Sequence, residues 1–214
     1  MIKAVVVDYG MGNIKSVQRG LKKVGAEAII SRDPELFSQA DCLVLPGVGA
    51  FEAGMRGIVS SGINEALNAF VQSGKPFMGI CLGMQMLMES STEHGVHKGL
   101  AYIPGSVQEI PYVENEKCVR KIPHIGWSEL LHPVKRGASW DETLLSGIKE
   151  NDFFYFIHSY MAVPAAEEFL LAQCEYEGLR ITAAVKKDNV TGFQFHPEKS
   201  GELGLKILHQ FVNS

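Results

Sequence analysis

This chain has no Cys-x-x-Cys pair, no apolar run long enough to span a bilayer and no excess of basic residues. Each absence removes a class of protein. The four cysteines, Cys42, Cys81, Cys118 and Cys174, lie far apart, so neither a metal-ligand cluster nor a disulfide framework is expected, and no cofactor is implied. Free thiols fit an intracellular enzyme. A net charge of −4 offers no basic face to neutralise phosphates, which argues against a nucleic-acid partner. The short basic clusters at residues 117–121 and at Lys186-Lys187 read as solvated loops. Without a membrane-spanning run no membrane association is expected. Met1-Ile2-Lys3-Ala4-Val5-Val6-Val7 enters a strand pattern at once, with no charged leader or cleavage site, so a cytoplasmic location is expected. Internal repeats and long linkers are missing too. With 214 residues and 46% hydrophobic content, one domain over residues 1–214 is expected.

What is present is a run of alternating strand and helix patterns. Residues 2–9 read as a buried strand. Ile14, Val17, Leu21 and Val24 then fall on one helix face, with Asn13 as cap and Gly25 past the end. Residues 26–30 form a second strand, Asp33-Pro34 the cap and first position of a short helix, and residues 41–45 a third strand running into Pro46-Gly47-Val48-Gly49. Helices near residues 51–59 and 63–72 lead to another strand ending at Cys81. Such βα repetition predicts a mostly parallel sheet flanked by helices. In the second half, residues 107–110, 153–160, 170–176, 181–186 and 190–195 are strand-like, and antiparallel or mixed pairing is expected there. A last helix from residue 201, capped by Ser200, carries Leu205, Leu208 and Phe211 on one face.

Two segments carry chemistry. In Gly79-Ile80-Cys81-Leu82-Gly83 an apolar strand runs directly into a helix, which puts a thiol at a sharp turn outside the carboxyl end of a strand. Helix-end N–H groups there favour the thiolate, below the usual thiol value of about 8.5. The bland reading of any cysteine is a buried, inert one; the flanking glycines set Cys81 apart, whereas Cys42, Cys118 and Cys174 keep that reading. Far downstream, His196-Pro197-Glu198 places an imidazole and a carboxylate two residues apart, on one side of an extended chain. A carboxylate so placed can hold the ring and stabilise it as imidazolium. The backbone N–H of Leu82, with one from the glycine-flanked Val48, could meet an oxyanion. Gly10-Met11-Gly12 hints at a dinucleotide loop, but Lys15 stands where the third glycine belongs, and a tight turn explains it better.

The segments Gly79-Ile80-Cys81-Leu82-Gly83-Met84-Gln85 and Phe193-Gln194-Phe195-His196-Pro197-Glu198 together resemble the nucleophile and His/Glu motifs of class I glutamine amidotransferases. More narrowly, Asp8-Tyr9-Gly10-Met11-Gly12-Asn13, Pro46-Gly47-Val48-Gly49, Pro123-His124-Ile125-Gly126-Trp127 and Tyr155-Phe156-Ile157-His158-Ser159-Tyr160 resemble the glutaminase subunits of imidazole glycerol phosphate synthases. The resemblance implies a flavodoxin-like α/β fold with a Cys81-His196-Glu198 triad that releases ammonia from L-glutamine. It implies that Gln85, Gly49 and the backbone around Ser159 and Tyr160 hold the glutamine, and that Val48 and Leu82 serve the oxyanion. It also implies a heterodimer with a (β/α)₈-barrel cyclase that receives the ammonia in histidine biosynthesis, docked through Asn13, Trp127, Tyr155 and Lys199. Ser128 departs from the asparagine usual after the Gly-Trp pair, in the segment that helps identify the partner. The competing readings are a paralogous subunit serving another synthase, for example in surface-sugar biosynthesis, a stand-alone cysteine hydrolase, and a silent binding subunit. The intact triad weighs against the last.

Overall fold

The computed structural model describes residues 1–114, 117–118, 120–134 and 139–214, with backbone alone at 113, 114, 117 and 118. The Cys118 side chain and part of the 117–121 basic cluster therefore lie outside the described residues.

The first half alternates as its pattern predicts: β1 (Lys3–Val7), α1 (Ile14–Lys23), β2 (Glu27–Ser31), α2 (Pro34–Gln39), β3 (Cys42–Gly47), α3 (Phe51–Ser60), α4 (Asn64–Gln72), β4 (Phe77–Cys81) and α5 (Leu82–Met86). A strand's period of two sends neighbouring side chains to opposite faces, so each strand feeds two cores. Ala4, Val6, Val44, Met78 and Ile80 join one cluster with Val17 and Leu21 of α1 and Leu208 and Phe211 of the closing helix α6 (Gly201–Val212). Val5, Val7, Leu43, Leu45 and Phe77 join the other, under Phe37, Phe51, Ile58, Leu67 and Leu82. Helices thus cover both faces of the sheet.

Among the described residues nine strands form one sheet, in the order Phe153–His158, His124–Leu131, Leu170–Tyr176, Leu179–Lys187, Val190–Phe193, β4, β3, β1, β2. From Val190–Phe193 through β2 every pairing is parallel; from Val190–Phe193 outward to Phe153–His158 every pairing is antiparallel. This is the mixed α/β sheet expected. Within it, β4 is flanked by two parallel neighbours from opposite ends of the chain. Gly47 of β3 stands level with Cys81, and Phe193 stands level with Ile80. The Val48 loop and the Gln194–His196 segment must therefore leave the sheet on either side of Cys81.

The Asp33 side chain accepts from the Glu35 N–H, with Pro34 at the first helical position. Asn13 and Ser200 occupy the N-cap positions of α1 and α6, but neither side chain makes a cap hydrogen bond. The Ser200 hydroxyl instead donates to the His196 carbonyl at 2.7 Å and accepts from the Tyr155 N–H at 3.1 Å. Residues 153–160, expected as one strand, form two: Phe153–His158 in the main sheet, then Tyr160–Pro164 in a separate small sheet beside Gly105–Glu109. The strand His124–Leu131 was not expected at all. Its polarity is inverted, since His124 is buried while Ile125 and Trp127 face solvent, and an inverted alternation does not read as a half-buried strand.

Candidate active site

Cys81 ends β4 and caps α5 with φ +55° and ψ −112°, a conformation that side-chain-bearing residues avoid and that stores on the order of 1–3 kcal/mol. The surroundings enforce it. A Cβ on Gly83 would collide with the Leu45 carbonyl oxygen, and one on Gly79 would lie 2.8 Å from the Met84 nitrogen. Only glycine at both places lets the helix start this close to the sheet. The thiol is thereby held at the strand's carboxyl end, at the floor of a cleft of about 560 Å³.

Parallel pairing with Val190–Phe193 delivers the second motif. Past that strand the His196 N–H bonds the Tyr155 carbonyl at 3.0 Å, and residues Pro197–Lys199 form one 3₁₀ turn. That turn brings the Glu198 Oε1 to 2.8 Å from the His196 Nδ1, with both side chains almost fully buried. The His196 Nε2 is buried and unpartnered, and both His196 and Cys81 line the cleft. Burial alone would discharge this imidazole, but the sulfur of Cys81 and the carboxylate of Glu198 more than offset it and hold His196 above its ordinary range.

The cleft also takes in Val48, Gly49, Leu82, Gln85, Ser159, Tyr160 and Lys199. Both Gln85 Nε2 hydrogens are engaged, on the Tyr160 carbonyl at 3.0 Å and on the Gln194 Oε1 at 3.1 Å. Gln85 thus has only its oxygen to offer a ligand. The Tyr160 carbonyl also meets the His158 Nδ1 at 2.8 Å and is committed to the protein. Lys199 lines the cleft as well as standing over the Tyr155 ring, 5.7 Å from its centroid.

Sequence reasoning missed Glu93, His94 and Glu109, which line the same cleft. A lone acid in a polar turn carries no pattern. Glu93 is tied to the site by its Oε2, which accepts the Phe51 N–H at the start of α3, just past Val48 and Gly49. Gln194, quoted only as part of a motif, also belongs here: its Nε2 donates to the Cys81 Sγ at 3.7 Å. Among the described residues no group of acids, histidines and cysteines has metal-site geometry. A second cavity, of about 410 Å³ between Pro76, Glu142, Asn189 and Phe211, is lined by neither cysteine nor histidine.

Beside the cleft, the strands His124–Leu131 and Phe153–His158 turn Ile125, Trp127, Phe153 and Ile157 to solvent, Trp127 at 54% exposure. Ile125 pairs with Ile157 and Trp127 with Tyr155, whose rings lie 6.0 Å apart. Trp127, Tyr155 and Lys199 therefore share one face. Asn13 stands elsewhere in the fold's order, at the start of α1 and next to Gly12, where an added Cβ would touch Gly47.

Comparison with known proteins accords with this geometry. Residues 5–214 match the family model for glutamine amidotransferase class-I. The chain is 47% identical over 212 residues to the imidazole glycerol phosphate synthase subunit HisH 1 of Legionella pneumophila (strain Paris), covering 99% of each. It is 44% identical to the HisH subunit of Aquifex aeolicus (strain VF5), covering 98% of this chain and 96% of that one. Among solved structures, PurLQS from Thermotoga maritima superposes with a TM-score of 0.71 at 22% identity, covering 99% and 98% of the two chains, and at that identity it speaks to the fold alone. A match that runs almost from end to end, over a cysteine elbow and its buried His/Glu pair, means that this chain belongs to the class-I glutamine amidotransferase family.

Proposed function

We propose that this chain is the glutaminase subunit of an imidazole glycerol phosphate synthase. The observation that carries the reading is the cleft shared by Cys81 and His196, with Glu198 locked on the far side of the imidazole. The pathway rests on relatives named as subunits of that synthase at 42–47% identity over nearly the whole chain.

In this reading the Cys81 sulfur attacks the side-chain amide carbon of glutamine, and its proton passes to the His196 Nε2. The tetrahedral oxyanion meets the Leu82 N–H and one from Val48. His196 returns the proton to the leaving nitrogen, ammonia departs and a γ-glutamyl thioester remains. Water then gives a proton to His196, attacks the thioester and frees glutamate, and the sulfur leaves as it began. Glu198 keeps the ring in one tautomer and steadies its positive form. The zwitterionic end of glutamine needs both signs of charge, which the cleft supplies as Glu93 and Glu109 on one hand and Lys199 on the other. Gln85 adds its free oxygen, and Gly49 with the backbone at Ser159 completes the hold.

Ammonia released to water is protonated and loses its nucleophilicity, so direct transfer to a second site has a physical motive. The exposed face of Ile125, Trp127, Tyr155, Phe153 and Ile157 next to the cleft is the type of apolar patch that marks a partner site. We assign it to a cyclase subunit of (β/α)₈-barrel form, with Lys199 at its margin; Asn13, at the start of α1, would meet the partner only if the contact reaches beyond this face. Among the described residues no helix is long and apolar enough to cross a membrane, in keeping with a cytoplasmic enzyme of biosynthesis.

The test is glutamate release from glutamine, with and without the cyclase and its ribotide substrate. Release should depend on partner and ribotide together, and Cys81→Ala should abolish it while leaving the melting curve and partner binding unchanged. Activity that survives Cys81→Ala, or a full rate from the isolated chain, would refute the reading.

A further inference from the structure

We propose that Gln194 is a further catalytic residue, a fixed hydrogen-bond donor to the Cys81 sulfur that favours its thiolate. The proposal rests on the reading of Cys81 as nucleophile. It starts from polarity that the hydrogen-bond network leaves no freedom to reverse. A carbonyl can only accept, so both groups that meet the Tyr160 oxygen, the Gln85 side-chain amide at 3.0 Å and the His158 Nδ1 at 2.8 Å, must be donors. With the Gln85 Nε2 spent there, its second hydrogen points to Gln194, 3.1 Å away, which must present its oxygen. The Gln194 nitrogen is then turned to the Cys81 Sγ, 3.7 Å distant. A flipped Gln194 would put amide hydrogens against amide hydrogens on one side and a lone pair against the sulfur on the other.

On the other side of the Tyr160 carbonyl the tautomers are fixed as well. Since the His158 Nδ1 carries the hydrogen, its Nε2 accepts from the His124 Nδ1 at 3.1 Å. The His124 Nε2 then accepts from the Ser128 hydroxyl at 2.9 Å. Burial pushes His158 down to about 3 and His124 down to about 4, which keeps both rings neutral and the order of donors unambiguous. Ser128 follows Trp127 in the strand and turns to the opposite side, the side of His124. One unbroken line of hydrogen bonds therefore joins the inner side of that strand to the nucleophile.

Gln194 is fully buried, so no water competes for its N–H. As a thiol, Cys81 donates to the Ile157 carbonyl at 3.8 Å. Once its proton has passed to the His196 Nε2, the sulfur turns from donor to acceptor, and the Gln194 N–H is the donor that receives it. The other titratable or charged groups that face the thiol are Tyr9, His196 backed by Glu198, and His158, with Glu93, His94, Glu109 and Lys199 around the cleft. None of these is exchanged by a change at Gln194.

The experiment is the pH dependence of Cys81 alkylation by iodoacetamide in the native chain, Gln194→Leu and Gln194→Glu, with Cys81→Ala as blank, alongside glutamate release with the partner. A charge-assisted hydrogen bond of ordinary strength corresponds to about one to two pH units. The alkylation midpoint should rise by that much in both variants. Glutamate release near pH 7 should fall about 10- to 100-fold and recover as the pH is raised. A residue that merely supports the fold would lower the rate equally at every pH. Coincident midpoints in all three proteins overturn the proposal. Should the variants' midpoints shift as predicted while the native chain releases no glutamate, the glutaminase reading falls and the Gln194 donor stands. If neither variant folds, the native Gln194 side-chain amide resonances decide: they should move with the Cys81 titration, and resonances that stay still across it overturn the proposal.

Discussion

Two histidines are buried side by side in this protein and are neutral there, at about 4 for His124 and about 3 for His158, because burial disfavours the charged ring. An unfolded histidine titrates near 6.5. Between these values the unfolded chain binds protons that the folded chain refuses, so acid favours unfolding. Stability from this pair is present above about pH 6.5 and is lost as the pH falls toward 4. His196 has the opposite sign: its raised value stabilises below the unfolded pKa and is lost as the pH rises through the folded one. The urea midpoint should therefore drop steadily between pH 6.5 and 4.5, and a midpoint flat over that range would contradict buried neutral rings. At this scale the Cys81 elbow and the His196–Glu198 pair were legible, since they sit in short distinctive strings. Glu93, Glu109 and the role of Gln194 were not, because each depends on what folds against it.

The strand-to-helix elbow stands or falls with its glycines. Gly83 lies against the Leu45 backbone of the central sheet and Gly79 against the α5 backbone at Gly83 and Met84, and backbone atoms so held cannot step aside. Gly83→Ala should therefore cost about 3 kcal/mol or more, read as a fall in the denaturation midpoint, with glutamate release lost in whatever still folds. Gly62→Ala serves as control: no neighbour lies within 4 Å of an added Cβ there, so only its φ of +70° is strained and the loss should be smaller. The elements of the first half were readable because each buries apolar residues at its own period. His124–Leu131 was not, since its exposed side holds Ile125 and Trp127 and its buried side His124. The break of residues 153–160 at Ser159 was hidden as well, because both pieces are strand and only the change of sheet separates them.

For the whole molecule, the exposed aromatic face remains the feature that a free subunit does not explain. Trp127 and Tyr155 pack edge to face in the open, with Ile125, Phe153 and Ile157 around them. If this face docks a partner, its large central aromatic should dominate the binding. Trp127→Ala should weaken partner affinity by about 2 kcal/mol or more, measured by titration calorimetry, and leave the isolated chain's melting temperature within about 2 °C. Unchanged affinity would move the docking surface elsewhere. The face adjoins the cleft through Tyr155, Ile157 and Lys199, so a partner seated there would lie against the cleft.

Local patterning and two motifs determined the α/β class, the cysteine elbow and the His/Glu pair, because periodicity and short-range geometry are written within a few residues. The meeting of those motifs belongs to the fold. Cys81 and His196 are 115 positions apart, and they share a cleft only because β4 and Val190–Phe193 pair in parallel with Phe193 level with Ile80. The polarity of the buried hydrogen-bond line from Ser128 to the thiol was likewise decided in three dimensions, since each donor is defined by the acceptor opposite it.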